Sequence, residues 1–112
     1  MEHIMTFELV FKEIKKALAK ADPSVINGKL AIQVNLTGLG GGTFYIEVLD
    51  GKLSVEPYDY HDRDAALTIS VMDFKKLADK KLDPVQAFNE GKLQVDGSIE
   101  KALDLMKMLD TK

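Results

Sequence analysis

Two stretches carry the letters of polar chemistry. Residues 57–64, PYDYHDRD, gather Asp59, His61, Asp62 and Asp64. Carboxylates and an imidazole so close together suggest a cation site. A hard cation needs several oxygens converging from fixed positions. The spacing matches neither a calcium loop nor a two-histidine zinc site. The simpler expectation is a solvated loop between strands, with Tyr58 and Tyr60 folded over the core edge and their hydroxyls wet. The second stretch is Gly38-Leu39-Gly40-Gly41-Gly42. A phosphate cradle needs a strand, then glycines, then a helix N-terminus to supply amides and dipole. Here a strand pattern, TFYIEV, follows, without Gly-Lys-Ser/Thr. The glycines therefore read as a mobile hairpin tip.

Nucleophilic catalysis fares no better. It needs an activated side chain beside a base. The chain has no cysteine, and its two histidines, His3 and His61, fall in an expected frayed terminus and the polar loop. No serine stands in a Gly-x-Ser-x-Gly elbow. Glu47, Glu56 and Asp96 are scattered over expected wet faces, and nothing pairs them for hydrolysis. No catalytic residue, metal ligand or cofactor is nominated, and the expectation is a protein that is not an enzyme.

What remains is chemistry by burial. In the last helical stretch Ile99, Ala102, Leu103, Leu105, Met106, Met108 and Leu109 are apolar. They cover roughly 220° of the helix circumference, where a core-facing helix needs about 100°. One part can pack on a sheet. The rest must meet a second helix, a partner chain or a ligand. A fully sandwiched core helix answers the pattern as well as a ligand wall does. Met106 and Met108 are flexible, polarizable fillers suited to a surface that adapts.

The elements that would hold this helix are punctuated clearly. Thr6 is the expected N-cap of a helix over 7–21, whose Phe7, Val10, Phe11, Ile14, Ala17, Leu18 and Ala21 follow the helical period. Asp22-Pro23 stops it. After the Asn27-Gly28 turn, three alternating strands follow: Leu30, Ile32, Val34 and Leu36; then Phe44, Ile46 and Val48; then Leu53 and Val55. Such alternation implies one buried face and one wet face. Asp50-Gly51 is a two-residue hairpin signal of the I′ type. Leu67, Ile69 and Val71 alternate as a fourth strand. Ser70 and Asp73 resemble a capping box for a helix reaching about Lys80. Asp83-Pro84 opens a short helix that Gly91 ends. Leu93 and Val95 alternate as a fifth strand, and Gly97-Ser98 turns into the last helix with Ser98 as cap. One amphipathic sheet results, with four helices available to cover its apolar face.

At this point a resemblance enters. The run at 81–109, KLDPVQAFNEGKLQVDGSIEKALDLMKML, resembles the C-terminal half of the sterol carrier protein 2 family, where "kl.p..af..Gklki.G....a.kl..l" recurs. Upstream, AALTISVMDFKKLADKKL is similar to that family's "aD.t..ls..df..l..gkl", and the glycine-rich hairpin before TFYIEV fits too. The likeness spans roughly residues 5–110, and its motifs are structural rather than catalytic. It implies an α+β fold: a five-stranded mixed, mostly antiparallel sheet, covered on one face by four or five helices, with residues 1–112 as one lipid-binding domain. It implies an apolar tunnel between the sheet and the C-terminal helix, holding a fatty acid, fatty acyl-CoA, sterol or phospholipid. By position in the family pattern the lining candidates are Phe74, Leu77, Phe88, Leu93, Ile99, Leu103, Leu105, Met106, Met108 and Leu109. No head-group anchor stands out, although Gln86, Asn89 and Gln94 are polar residues nearby. The tail ends three residues beyond Leu109, which makes a short lid. The resemblance also implies that the first helix can touch a membrane surface, through Lys12, Lys15, Lys16 and Lys20. Taken by themselves these lysines are a solvated face that suits a helix C-terminus. The rival expectation is a structural or oligomerisation module that uses the same apolar surface to pair two chains.

Bulk properties agree with a carrier of this kind. The chain has 112 residues, with 15 basic and 18 acidic side chains and a net charge of −3. A nucleic-acid binder would normally show a basic footprint. The N-terminal run MEHIMTFELV lacks the bounded apolar core of a signal peptide. No stretch approaches the ~18 apolar residues of a membrane span. The expected location is the cytoplasm, as a monomer or homodimer.

Overall fold

The structure, a computed structural model, describes residues 6–109. His3 and the tail beyond Leu109 lie outside the described residues. The chain runs α1 (Phe7–Leu18), a 3-10 turn (Pro23–Val25), β1 (Lys29–Thr37), β2 (Gly42–Leu49), β3 (Lys52–Glu56), β4 (Ala65–Ser70), α2 (Val71–Ala78), α3 (Pro84–Asn89), β5 (Leu93–Gly97) and α4 (Ile99–Leu109). The sheet order is β3-β2-β1-β4-β5, with β1 and β4 parallel and every other pair antiparallel. This is the α+β fold with a five-stranded mixed, mostly antiparallel sheet that the resemblance implied.

The helix starts follow the capping chemistry. Thr6, Ser70, Asp83 and Ser98 each accept a backbone N–H three residues on, from Leu9, Asp73, Gln86 and Lys101. Those bonds satisfy amides that have no partner inside the helix. Two boundaries move from the sequence reading. The first helix ends at Leu18 rather than 21. Val71 belongs to α2, not to the fourth strand, because the Ser70 cap turns the chain one residue earlier.

Side chains of α1, α2 and α4 fill one face of the sheet. Val10, Ile14 and Leu18 of α1 meet Ile32, Val34, Phe44 and Ile46 of the strands, with Phe74 of α2 and Leu105 and Met108 of α4. Three rings run through this core: Phe11 to Phe44 at 5.7 Å between centroids, and Phe44 to Phe74 at 5.6 Å, edge to face. Glu13 joins α1 to α2 by a 2.8 Å ion pair with Lys75. The hydrogen bond and charge of Lys75 hold the Glu13 carboxyl below its usual range.

The far face is not simply wet. β1 is central, and Ala31 and Gln33 on its outer side are buried. The loop at 57–64 covers them. Tyr60 N–H donates to Gln33 Oε1 at 3.1 Å, and Gln33 Nε2 donates to Asn35 Oδ1 at 3.0 Å. The Tyr60 hydroxyl, expected to be wet, donates to Glu47 Oε2 at 2.5 Å, and its ring stands edge-on to Tyr45 at 5.1 Å. Among the described residues no buried side-chain nitrogen or oxygen lacks a partner. Asp64, one of the cation-like letters, is structural. Its Oδ2 accepts Ala31 N–H at 2.9 Å, its own N–H donates to Ala31 O at 2.7 Å, and its carbonyl accepts Ser98 N–H at 2.9 Å.

Candidate functional site

The helices divide their apolar residues between two duties. Leu105 and Met108 of α4 are fully buried toward the sheet. Both belong to the core cluster between the C-terminal helix and the sheet, on the side where the resemblance placed a tunnel. The surplus of the α4 stripe faces sideways, toward α2 and α3.

There it borders a hollow. A cavity of about 510 Å³ is lined by Leu77, Lys80, Lys81, Leu82, Asp83, Pro84, Val85, Leu103, Met106, Lys107 and Leu109. No strand residue belongs to that lining. A second cavity of about 440 Å³ lies beside it, walled by α1 (Ala17, Leu18) with Lys20 and Ala21, by Ala78, Asp79 and Lys80 at the end of α2, and by Leu109. Leu109 and Lys80 line both. Hollows of this size, mostly apolar with a few polar groups at the edge, are what small-molecule sites look like.

The turn between α2 and α3 builds the shared wall. At the end of α2, Lys80 N–H donates to Leu77 O at 3.1 Å and Lys81 N–H to Lys76 O at 2.7 Å. This pair of bonds forces Lys80 into the left-handed region, φ 62°. Asp83 then restarts the chain as α3, its Oδ2 accepting Gln86 N–H at 3.0 Å. Leu82 and Val85 flank that restart and line the cavity together with Leu103 and Met106.

Of the ten lining candidates, Leu77, Leu103, Met106 and Leu109 border the larger cavity. Phe74, Leu93, Leu105 and Met108 are buried in the core instead. Phe88 and Ile99 are exposed and border neither cavity. Gln86, Asn89 and Gln94 are away from both linings, and Gln86 Nε2 donates to Glu90 Oε2 at 3.1 Å. Sequence reasoning missed Leu82, Val85, Lys80, Lys81 and Lys107. The apolar pair had a signal: they flank Asp83-Pro84, and a helix start beside a wide apolar stripe brings its flanking residues to that stripe. The lysines had none, because charge at a helix C-terminus is the commonplace reading.

Lys12, Lys15 and Lys16 of α1, and Lys20 just after it, are all exposed. Lys15 lies 3.7 Å from Glu56 and 5.9 Å over the Phe11 ring, and Lys20 stands at the second cavity. Among the described residues no cluster of three or more His, Cys, Asp or Glu side chains could hold a metal ion. Among the same residues no helix is long and apolar enough to cross a membrane.

Comparison with known proteins shows what the chain is similar to. The SCP-2 sterol transfer family matches residues 8–110. Sterol carrier protein 2 of Homo sapiens is 35% identical over 105 residues, covering 89% of this chain and 19% of that protein. The chain therefore spans about a fifth of that relative's length. Non-specific lipid-transfer protein-like 1 of Caenorhabditis elegans is 32% identical over 109 residues, covering 94% of this chain and 91% of that protein. Among solved structures, Sterol Carrier Protein-2 from Aedes aegypti in complex with palmitate superposes with a TM-score of 0.64 at 20% identity, over 98% of this chain and 97% of that one.

Proposed function

The chain belongs to the SCP-2 sterol transfer family, and from that premise we propose that it is a non-catalytic carrier of an apolar ligand. The ligand is a fatty acid, fatty acyl-CoA, sterol or phospholipid. The observation that carries the reading is the cavity of about 510 Å³ walled by Leu77, Leu82, Leu103, Met106 and Leu109. Its place beside α4, rather than between α4 and the sheet, is where the surplus of the closing helix is available. The likeness to a protein solved with palmitate adds weight.

The mechanism is extraction from water. Each buried methylene gains about 0.8 kcal/mol, so an acyl chain of about ten carbons retains useful affinity after association costs. A mostly preformed hollow lowers the ordering cost. Exposed Lys12, Lys15, Lys16 and Lys20 supply transient contact with an anionic membrane surface, from which the ligand is collected.

The test is native mass spectrometry on freshly purified protein, followed by titration of the delipidated protein with a fluorescent acyl probe. Copurified lipid, or one probe per monomer displaced by unlabelled fatty acid, supports the carrier. A ligand-free dimer that buries Val85, Leu103 and Leu109 and binds no probe overturns it in favour of an oligomerisation module.

A further inference from the structure

The larger cavity has a charged rim that the carrier reading leaves unused. Among the described residues its lining holds three lysines, Lys80, Lys81 and Lys107, against one aspartate, Asp83. The excess is positive on a chain whose net charge is −3. The aspartate is committed elsewhere, since its Oδ2 accepts the Gln86 amide at the start of α3. The lysines come from two separate elements: Lys80 and Lys81 follow α2, and Lys107 lies in the last turn of α4. The fold brings them to one rim around Leu77, Leu82, Val85, Leu103 and Met106. A lysine placed so can lay its methylene stem on apolar wall and hold its ammonium at the water boundary.

Helix ends alone do not account for the arrangement. The negative pole of a helix favours lysine in its last turn. Lys81 lies beyond that turn, and Lys80 sits in a left-handed conformation, φ 62°, where glycine is the easier residue. Lys107 is 4.0 Å from Asp104, at the limit of an ion pair, and its side chain remains 75% exposed. Its ammonium can turn to a second anion at little cost.

We propose that Lys80, Lys81 and Lys107 form an anionic head-group site at the mouth of the cavity, so that the preferred ligand is a single-chain amphiphile ending in a carboxylate or phosphate rather than a neutral sterol. This rests on the carrier reading: the tail occupies the apolar cavity and the head meets the ammonium groups. Charge also orients the ligand, tail inward and head at the rim. The attraction is partly screened, so salt weakens it while leaving the tail contribution intact.

The experiment is calorimetric titration of the delipidated protein with dodecanoate, dodecyl phosphate and dodecanol. Three proteins are compared: the wild type, Lys81→Gln/Lys107→Gln, and Lys52→Gln/Lys92→Gln as an equal charge change away from the cavity. All four side chains are exposed, so folding is retained, and thermal melting verifies it. The expected result is a loss of about tenfold in affinity for either anionic ligand in the first variant, with dodecanol and the second variant unchanged. Binding of dodecanoate alone or of dodecyl phosphate alone, with the same lysine dependence, also supports the site and tells which head it takes. If Lys81→Gln/Lys107→Gln binds the anions as the wild type does, while all three ligands still bind, the head-group site is overturned and the carrier stands. If none of the three binds the wild type, both readings fall together.

Discussion

Lys80 and Gly91 occupy the same position of the same helix-ending turn. Lys80 N–H donates to Leu77 O and Lys81 N–H to Lys76 O at the end of α2. Gly91 N–H donates to Phe88 O and Lys92 N–H to Ala87 O at the end of α3. Both central residues are left-handed, with φ of 62° and 78°. Glycine adopts that conformation without a Cβ penalty, whereas an L-residue is strained by about 1 kcal/mol or more.

Lys80→Gly should therefore raise stability by about 1 kcal/mol. Urea denaturation gives this as a higher midpoint with unchanged slope. The same substitution removes one cation from the wall shared by both cavities. Affinity for an anionic acyl ligand should fall as stability rises. A variant that is neither more stable nor weaker in binding would remove the strain argument.

Leu103 and Leu105 separate ligand wall from core. Two residues apart on α4, they point to nearly opposite sides of the helix. Leu103 is 44% exposed and borders the cavity, while Leu105 is 0% exposed within the core. Leu103→Asp should keep native far-UV circular dichroism and lower acyl-probe affinity more than tenfold, since a carboxylate in an apolar wall is costly to desolvate, by a few kcal/mol or about that. Leu105→Ala should instead lower stability by about 2–5 kcal/mol through the cavity it leaves.

The fold was legible because its signals are local. Thr6, Ser70, Asp83 and Ser98 announce their helices through short side-chain-to-amide bonds, and Asp50-Gly51 announces its hairpin through backbone shape, φ 52° and 79°. The wide stripe on α4 was legible as a surplus but not as a direction. Periodicity says how much apolar surface a helix carries. It does not say that Leu105 and Met108 fill the sheet side while Leu103 and Met106 border a hollow. The same limit hid the covered outer face. Gln33 reads as the wet position of an alternating strand, and only the path of the loop at 57–64 buries it under Tyr60. The lysine rim depends on two helix ends meeting across the fold, and no window of sequence contains both.

Tyr60 gives the alkaline limb of stability. Its hydrogen bond to Glu47 comes first, then burial, and together they hold its hydroxyl above the ordinary tyrosine value of 10.0. A group raised in the folded state contributes stability that is complete below its unfolded value and is lost as pH rises through its folded one. Stability of the wild type should accordingly decline above about pH 10. Tyr60→Phe should be less stable than wild type at pH 7 and should show a shallower decline above pH 10. Denaturation midpoints measured from pH 8 to pH 11 check this, and parallel curves for the two proteins would contradict it.

Gly97 ends β5 directly before the closing helix, in close contact with the start of β4. It pairs with Ala65 where β4 meets β5, at φ 109°. A Cβ there would stand 2.7 Å from Asp64 O and 2.9 Å from Ala65 Cα. Both are backbone atoms, so no side-chain rotation relieves the contact. Asp64 O also accepts the Ser98 amide, and Ser98 caps α4, so a shift at this point passes directly to the helix that borders the cavity. Gly28 offers the contrast: φ 78°, with nothing within 4 Å of an added Cβ. Gly28→Ala should cost about 1 kcal/mol, the conformational part alone. Gly97→Ala should cost about 2–4 kcal/mol, because steric displacement adds to it. For a chain near this size that is a fall in melting temperature of roughly 10–20 °C. Acyl-probe affinity should drop in Gly97→Ala and hold in Gly28→Ala, because only the first moves α4. Equal losses in the two variants would mean that the strand-to-helix junction yields freely and does not position the cavity wall.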